Sequence, residues 1–240
     1  MANQEEMIVN SNNEVGVSNE LNYDGSNTTS SLQKNLKLIF IGLAVVVVAI
    51  IAVIFYNKSK ETKELEASVA LSRVMVFVDA GDHDKAFNGD PQKLVRGTPI
   101  VGLKTIVDEY GGTRNGEVAA VYAGNALLAK KKFAEAEEYF SKGLSSESKE
   151  VVVASNAGVA VCKESKNDYS GAAEQYEKAA SMSNQPSVIG KYKLYAAMNY
   201  EKANNKEKAE KLYREIILGE SPEFVIEAKS GLVRLGMIIE

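Results

Sequence analysis

The sequence is poor in side chains that commonly bind metals or transfer protons. Its 240 residues include one cysteine, one histidine and no tryptophan. Because Cys162 stands alone, the chain cannot close an internal disulfide or hold a cysteine zinc cluster. Because His83 stands alone, sites and mechanisms that need two imidazoles are excluded. We therefore expect no catalytic residue, no metal ion and no cofactor, and we expect the chain not to be an enzyme.

A strong excess of basic charge is also missing. The formal net charge is -4. Residues 58–240 carry 26 basic and 27 acidic side chains, whereas residues 1–37 carry five acidic side chains and two lysines. No basic stripe is available to neutralise phosphates, so nucleic acid is not an expected partner.

One segment, Leu38–Tyr56, is a run of 19 residues without a charge. As a helix it would span roughly 28 Å, close to the hydrocarbon thickness of a bilayer. A cleaved signal peptide has a shorter apolar core, followed by small residues, whereas this run begins after 37 residues and ends in FYNKSKE. The pattern predicts an uncleaved transmembrane anchor over residues 34–58.

The charges beside the anchor do not orient it. Lys34 and Lys37 precede the run, and Lys58, Lys60 and Lys63 follow it. The segment before it, residues 1–33, is rich in Asn, Ser and Glu and has no sustained apolar period. Such a segment buries too little apolar surface to offset its ordering entropy, so we expect a disordered polar tail.

Three later segments repeat a spacing of small and aromatic residues. Each has a helix with two adjacent small residues, a polar turn, and a second helix with an aromatic between small or apolar positions. The second helices align Ala136, Phe140 and Gly143 with Ala172, Tyr176 and Ala179, and with Ala209, Tyr213 and Ile216. The repeat length is 36 and then 37 residues. Steps of four and three residues place each trio on one helical face.

This pattern resembles the tetratricopeptide repeat (TPR) family, although its customary tryptophan is absent. The predicted fold is all-α: one transmembrane helix, then a TPR-like α-solenoid of about 3–4 helix pairs and a C-terminal capping helix. We place the solenoid at residues 59–240. Its repeats are expected at 64–112 (with an insertion at 81–98), 117–148, 151–185 and 188–220, and the capping helix at 223–238.

Two features invite a chemical interpretation, but structural roles are favoured for both. Asp82, His83 and Asp84 are adjacent on a predicted turn, and adjacent side chains rarely converge on one metal ion. We expect a solvated loop there. Cys162 lies at apolar spacing in a helix without a histidine partner, which favours a small core residue over a nucleophile.

The expected functional site is a peptide-binding groove on the first helices of the repeats. Adaptable apolar side chains with a few polar ones suit an extended peptide or a partner helix. The alternative for any one of these residues is simple packing between helices. The candidate groove residues are Val118, Val121, Asn125, Leu128, Ser155, Val159, Leu194 and Met198.

The order of tail, anchor and TPR-like domain also resembles the YfgM-like family of bacterial ancillary Sec translocon subunits, related to TPR cell-division coordinators. The likeness covers roughly residues 35–240 and is carried by FNGD (Phe87–Asp90) and by Ile106–Leu128. The resemblance implies a single-pass inner-membrane protein with a periplasmic TPR domain. It also implies contact with the translocon and with periplasmic chaperones or clients. A structural scaffold subunit of another membrane complex remains the alternative function.

Overall fold

The computed structural model describes residues 25–238, which form ten α-helices and one β-hairpin. The helices are α1 (Gly25–Asp79), α2 (His83–Asn88), α3 (Leu103–Tyr110), α4 (Arg114–Ala129), α5 (Phe133–Lys142), α6 (Lys149–Ser165), α7 (Tyr169–Met182), α8 (Pro186–Lys202), α9 (Lys206–Ile217) and α10 (Val225–Arg234). The strands are β1 (Gly89–Val95) and β2 (Thr98–Val101), and a 3-10 turn (Pro222–Phe224) precedes α10. The described residues fall into two units, one that ends at Phe55 and one that begins at Tyr56.

The first unit contains the apolar part of α1. Every side chain from Leu38 to Phe55 is exposed within the chain. By length and composition, α1 includes a helix able to cross a membrane. Residues 25–33, expected in the disordered tail, belong to α1, because a helix formed by the apolar run extends readily into preceding residues. The rest of that tail, residues 1–24, lies outside the described residues.

In the second unit, one helix–turn–helix arrangement recurs four times. Each turn has a residue in the left-handed conformation, with φ between 60° and 68°. The residue after it donates its N–H to the carbonyl five positions earlier, at 2.8–3.0 Å, which satisfies the end of the first helix. The left-handed residues are Gly81, Lys131, Asn167 and Asn204.

The first of these arrangements carries the β-hairpin inside its second helix. The left-handed turn residues are spaced by 50, 36 and 37 residues, and the hairpin, Gly89–Val101, has 13 residues. Removing the hairpin would bring the first spacing to that of the others, so α2 and α3 correspond to one second helix in two parts. The expected insertion at 81–98 is thus α2 with most of the hairpin, and the all-α prediction missed these two strands.

Two glycines let the chain leave and re-enter this split helix at one point. Gly89 has φ +86°, and a Cβ there would lie 2.5 Å from the carbonyl oxygen of Ile100. A Cβ at Gly102 would lie 2.3 Å from the carbonyl oxygen of Phe87. The strands pair antiparallel, and a turn at Arg96 and Gly97 connects them. Both turn residues have positive φ, as in a type I′ turn. The Phe87–Asp90 motif is therefore the junction between helix and hairpin.

Aromatic residues of the second helices fill gaps at glycines of the first helices. Phe140 on α5 is fully buried, and its ring lies against Gly124 of α4 and Gly158 of α6. Tyr213 on α9 lies against Gly231 of α10 in the same way. Glycine permits these approaches because a Cβ would meet the ring at 2.3–2.7 Å.

The closing helix after α9 is shorter than expected. The predicted capping helix at 223–238 is a 3-10 turn followed by α10, which ends at Arg234. Gly236 has φ +77°, and Met237 donates its N–H to Leu232, so the helix closes with the same turn that ends the earlier first helices. Glycine at this position is a common helix stop.

Candidate protein-binding surface

The structure separates the eight predicted groove residues into two groups. On α4, Val118, Val121 and Leu128 are half-buried and Asn125 is exposed. On α8, Met198 is 39% exposed. The other three are buried in the core: Ser155, Val159 and Leu194.

Ser155 and Val159 are buried because α6 packs against α4, α5 and α7 at once. The Ser155 Oγ lies 2.2 Å from where a Gly143 Cβ would stand. Val159 belongs to the core cluster around Phe140. Among the described residues, the Ser155 hydroxyl has no hydrogen-bond partner, which is a cost in stability. These two side chains face α5 and the core.

The accessible face of α6 instead borders a cleft shared with α8. We call it the tyrosine cleft, with a volume of about 230 Å³. Ala154 and Val153 contribute from α6, Val188 and Tyr192 from α8, and Met182 from the end of α7. Lysine, glutamate and amide side chains at its rim are Lys149, Glu150, Asn184, Gln185 and Lys191. An apolar floor with a mixed polar rim is the usual make-up of a peptide-binding site.

Three tyrosines form one aromatic cluster beside this cleft. Tyr176 lies 6.0 Å from Tyr192 in a stacked arrangement and 5.4 Å from Tyr195 edge-on, measured between ring centroids. Burial raises the pKa of the Tyr176 hydroxyl above its ordinary value. Tyr195 is 40% exposed and lies one helical turn before Met198. The accessible rings give a partner rigid apolar area at a low entropic cost.

A buried amide anchors this part of α8 to α6. Asn199 is 2% exposed, and its Nδ2 donates to Glu164 Oε1 at 2.5 Å and to the carbonyl oxygen of Tyr195 at 2.9 Å. The carboxylate of Glu164 thus links the first helices of two consecutive repeats. This bond joins α6 and α8 near their C-terminal ends, whereas the tyrosine cleft lies at their N-terminal parts.

The side chains considered for catalysis or metal binding have other contacts. Asp82 caps α2 by accepting from the Lys85 N–H at 3.1 Å, and Asp84 is hydrogen-bonded to Lys130. Within residues 25–238, no three His, Cys, Asp or Glu side chains are grouped as a metal site. Cys162 is buried, and burial raises the pKa of its thiol to about 11, so it is protonated at neutral pH.

Sequence reasoning missed Tyr192 and Tyr195. They lie two residues before and one residue after the buried Leu194. The accessible face of α8 is therefore rotated about the helix axis from the face that Leu194 and Met198 were expected to form. The segment KYKLYAAMNY does contain the signal, since Tyr192, Tyr195 and Met198 recur every three residues. Spacing alone does not tell which of two apolar stripes on a helix faces the core.

A family model described as a tetratricopeptide repeat-like domain matches residues 31–157, more than half of the chain. The match includes the apolar run, α2, the hairpin and α3–α5, and it ends within α6. No curated protein and no solved structure matches the chain.

Proposed function

Because the chain belongs to the tetratricopeptide repeat-like family, we propose that it is a membrane-tethered adaptor that binds other proteins. The single observation that carries the proposal is the accessible apolar surface of the first helices. It comprises the tyrosine cleft with Tyr195 and Met198, and the half-buried Val118, Val121 and Leu128 of α4. Aromatic and methionine side chains with neighbouring amides suit partners that present an extended segment or a helix.

The proposed solenoid consists of four helix pairs and a closing helix. The pairs are α1 with α2 and α3, α4 with α5, α6 with α7, and α8 with α9, and α10 closes the stack. Their support is the recurring left-handed turn, the packing of each helix from α2 to α10 on the next, and the core cluster that α1 shares with α2 and α3.

The proposed tether is the exposed apolar run Leu38–Tyr56. Exposure of so many apolar side chains to water would be costly, and a bilayer removes that cost. A tether also raises the local concentration of the surface near membrane partners, so a modest affinity suffices for binding.

The resemblance to YfgM-like proteins supports a finer proposal. In it, the chain lies in the bacterial inner membrane with its TPR domain in the periplasm. There it would connect the Sec translocon with periplasmic chaperones or clients. Its Phe87–Asp90 motif and the Ile106–Leu128 segment are the residues on which this likeness depends.

Site-specific photo-cross-linking in intact cells tests the adaptor function. A photoreactive phenylalanine analogue replaces Asn125 or Met198, both exposed on first helices, and Glu138, exposed on α5, is the matched control. We expect the same protein to be captured from the two first-helix positions and not from Glu138. Equal capture from all three, or none from the two first-helix positions, would contradict the proposal.

Three further results separate the finer parts of the proposal from each other. Recovery of translocon components or envelope chaperones would support the Sec-linked role, and recovery of neither would remove it. Protection of the TPR domain from protease in spheroplasts would overturn the periplasmic assignment. If deleting residues 1–33 abolishes partner capture, the scaffold alternative is favoured over the adaptor.

A further inference from the structure

The part of α1 that follows the apolar run lies outside the hydrophobic core. Over Tyr56–Glu66, which we call the latch segment, every side chain except Glu64 is exposed. The core begins at the next residue, Ala67, which is fully buried. Leu71 and Val74 then belong to the cluster that α1 shares with α2 and α3. Apolar packing therefore does not explain what holds the latch segment beside the repeats.

The Glu64 carboxylate binds the N-terminus of α4. Its Oε2 accepts from the Arg114 N–H at 2.7 Å, and its Oε1 accepts from the Asn115 N–H at 3.1 Å. The side-chain amide of Asn115 donates to the same Oε1. The next N–H, that of Gly116, donates to Thr113 Oγ1 at 3.0 Å. Glu64 and Thr113 together satisfy the first three N–H groups of α4, which have no partner within the helix.

The three hydrogen bonds of Glu64 are of a strong kind. A charged acceptor makes a hydrogen bond shorter and stronger than one between neutral groups. The N-terminus of α4, a helix of 16 residues, also carries a partial positive charge that favours a carboxylate. Because Glu64 and Asn115 are 51 positions apart in the chain, the contact is tertiary. The first turn of α4 thus takes most of its capping from α1.

The other polar side chains of the latch segment do not share this work. Thr62 Oγ1 donates within α1, to the carbonyl oxygen of Lys58. Among the described residues, none of the lysines of the latch segment and neither of its other two glutamates forms a salt bridge. The Glu64 carboxylate is therefore the polar group that ties this segment to the repeats.

We propose that Glu64 is a conformational latch between α1 and α4, and that it opens without loss of the core. In the closed state, its hydrogen bonds hold the latch segment on α4. In the open state, the latch segment moves about Ala67, while α1 beyond Ala67 stays packed. Since α4 carries Val118 and Val121, the latch connects α1 to the first helix of the accessible apolar surface. Only this last link rests on the proposed function, because the latch opens and closes in a chain that has no partner bound.

Distances between spin labels on the full-length chain in lipid nanodiscs test the latch. The latch pair of labels, at Thr62→Cys and Glu138→Cys, joins the latch segment to α5. The reference pair, at Ser72→Cys and Glu138→Cys, joins the core-packed part of α1 to α5. All three positions are exposed, and the unsubstituted chain, whose Cys162 is buried, reports background labelling. Double electron–electron resonance should give one narrow distance distribution for each pair.

Removing the carboxylate should open the latch. In Glu64→Ala, the distance distribution of the latch pair should broaden, whereas that of the reference pair should stay narrow. The amide hydrogens of Arg114 and Asn115 should exchange with solvent roughly tenfold faster, because they lose a charged acceptor. Glu61→Ala, at an exposed position on the preceding turn of α1, is the matched control and should change neither measurement.

Asn115→Asp tests the other side of the contact with Glu64 intact. Two carboxylates would then face each other, so the latch pair should broaden, although an acidic side chain in the first turn favours the helix itself. Adding Glu64→Gln to this variant should narrow the distribution again, since the amide introduced at position 64 donates to the new carboxylate. Rescue of this kind is expected only if the two side chains meet.

Several results would overturn the proposal. One is a latch pair that keeps its narrow distribution in Glu64→Ala, and another is equal broadening in Glu61→Ala. Broadening of the reference pair together with the latch pair would show that the core opens too, which contradicts a local latch. A distribution in Asn115→Asp that Glu64→Gln does not narrow would show that these two side chains do not hold the latch segment in place.

Discussion

Replacing Gly158 with alanine sets two effects against each other. At an unconstrained helix position, alanine stabilises a helix by about 1 kcal/mol relative to glycine. Here the added Cβ would lie 2.4 Å from the Phe140 ring. The ring is fully buried, and a Cβ at Gly124 on its other side would lie 2.7 Å away, which shows that it has little room to move. Overpacking of this kind costs about 1–3 kcal/mol.

Subtracting the helix gain from the overpacking cost, we expect Gly158→Ala to lower the free energy of unfolding by about 1 kcal/mol, and by at most about 2 kcal/mol. Urea unfolding followed by circular dichroism measures it, with Ala134→Gly at an exposed α5 position reporting helix propensity alone. In a Phe140→Leu background the alanine should cost less or stabilise, because the smaller side chain leaves room. An increase in stability of about 1 kcal/mol from Gly158→Ala alone would refute the aromatic-wedge packing.

Three other predictions concern charge, the hairpin and the thiol. Arg234 lowers the pKa of Glu201 from its ordinary value of 4.5. The ion pair therefore stabilises the folded chain fully above that pH, and this stabilisation is lost as the pH falls through the lowered pKa. Glu201→Gln should thus lower the free energy of unfolding by about 1 kcal/mol at pH 7. At acidic pH the urea midpoints of the variant and of the unsubstituted chain should converge. Gly89→Ala should destabilise more than Gly97→Ala, since both glycines have positive φ but only Gly89 is crowded; equal urea midpoints would contradict this. Cys162 should react with a disulfide reagent at pH 7 at least about a hundredfold more slowly in the folded chain than in urea, because burial raises its pKa to about 11; equal rates would place it at the surface.

The TPR-like pattern could be predicted because it depends on local spacing. The spacing of Ala136, Phe140 and Gly143 recurs because a second helix passes closely over its neighbours, and at Phe140 and Tyr213 an aromatic ring fills the gap left by a glycine. That requirement constrains residue size at fixed intervals, and the same intervals appear in the sequence. The apolar run is likewise visible in composition alone.

The β-hairpin could not be predicted from the same signals. Its strands are short, and β1 contains an irregularity between Asp90 and Leu94 that breaks the apolar alternation. The turn residues Arg96 and Gly97 do fit a hairpin, but arginine with positive φ is an unusual choice. The repeat pattern predicts an insertion at 81–98, but the structure of that insertion depends on the close approach of the chain at Gly89 and Gly102.

The candidate site could be predicted only in part. Helical spacing shows which residues share a face, but it does not show which face the neighbouring helices cover. Asn125 and Met198 lie on the surface as expected, whereas Ser155, Val159 and Leu194 are in the core. On α6, Ser155 and Val159 are buried because of tertiary packing. Gly143 and Phe140 approach the face of α6 that the spacing predicts for the groove. Only the packing of neighbouring repeats decides this rotation.

The central claim is that the first-helix surface binds a protein partner. Its most direct test is the affinity of the purified chain for the protein captured from Asn125 and Met198, measured by biolayer interferometry. Tyr195→Ala with Met198→Ala removes the two most exposed apolar side chains of α8 beside the tyrosine cleft and should weaken binding roughly tenfold or more. Glu138→Ala should leave the affinity unchanged. An unchanged Kd in the double variant, or an equal loss in Glu138→Ala, would contradict the account.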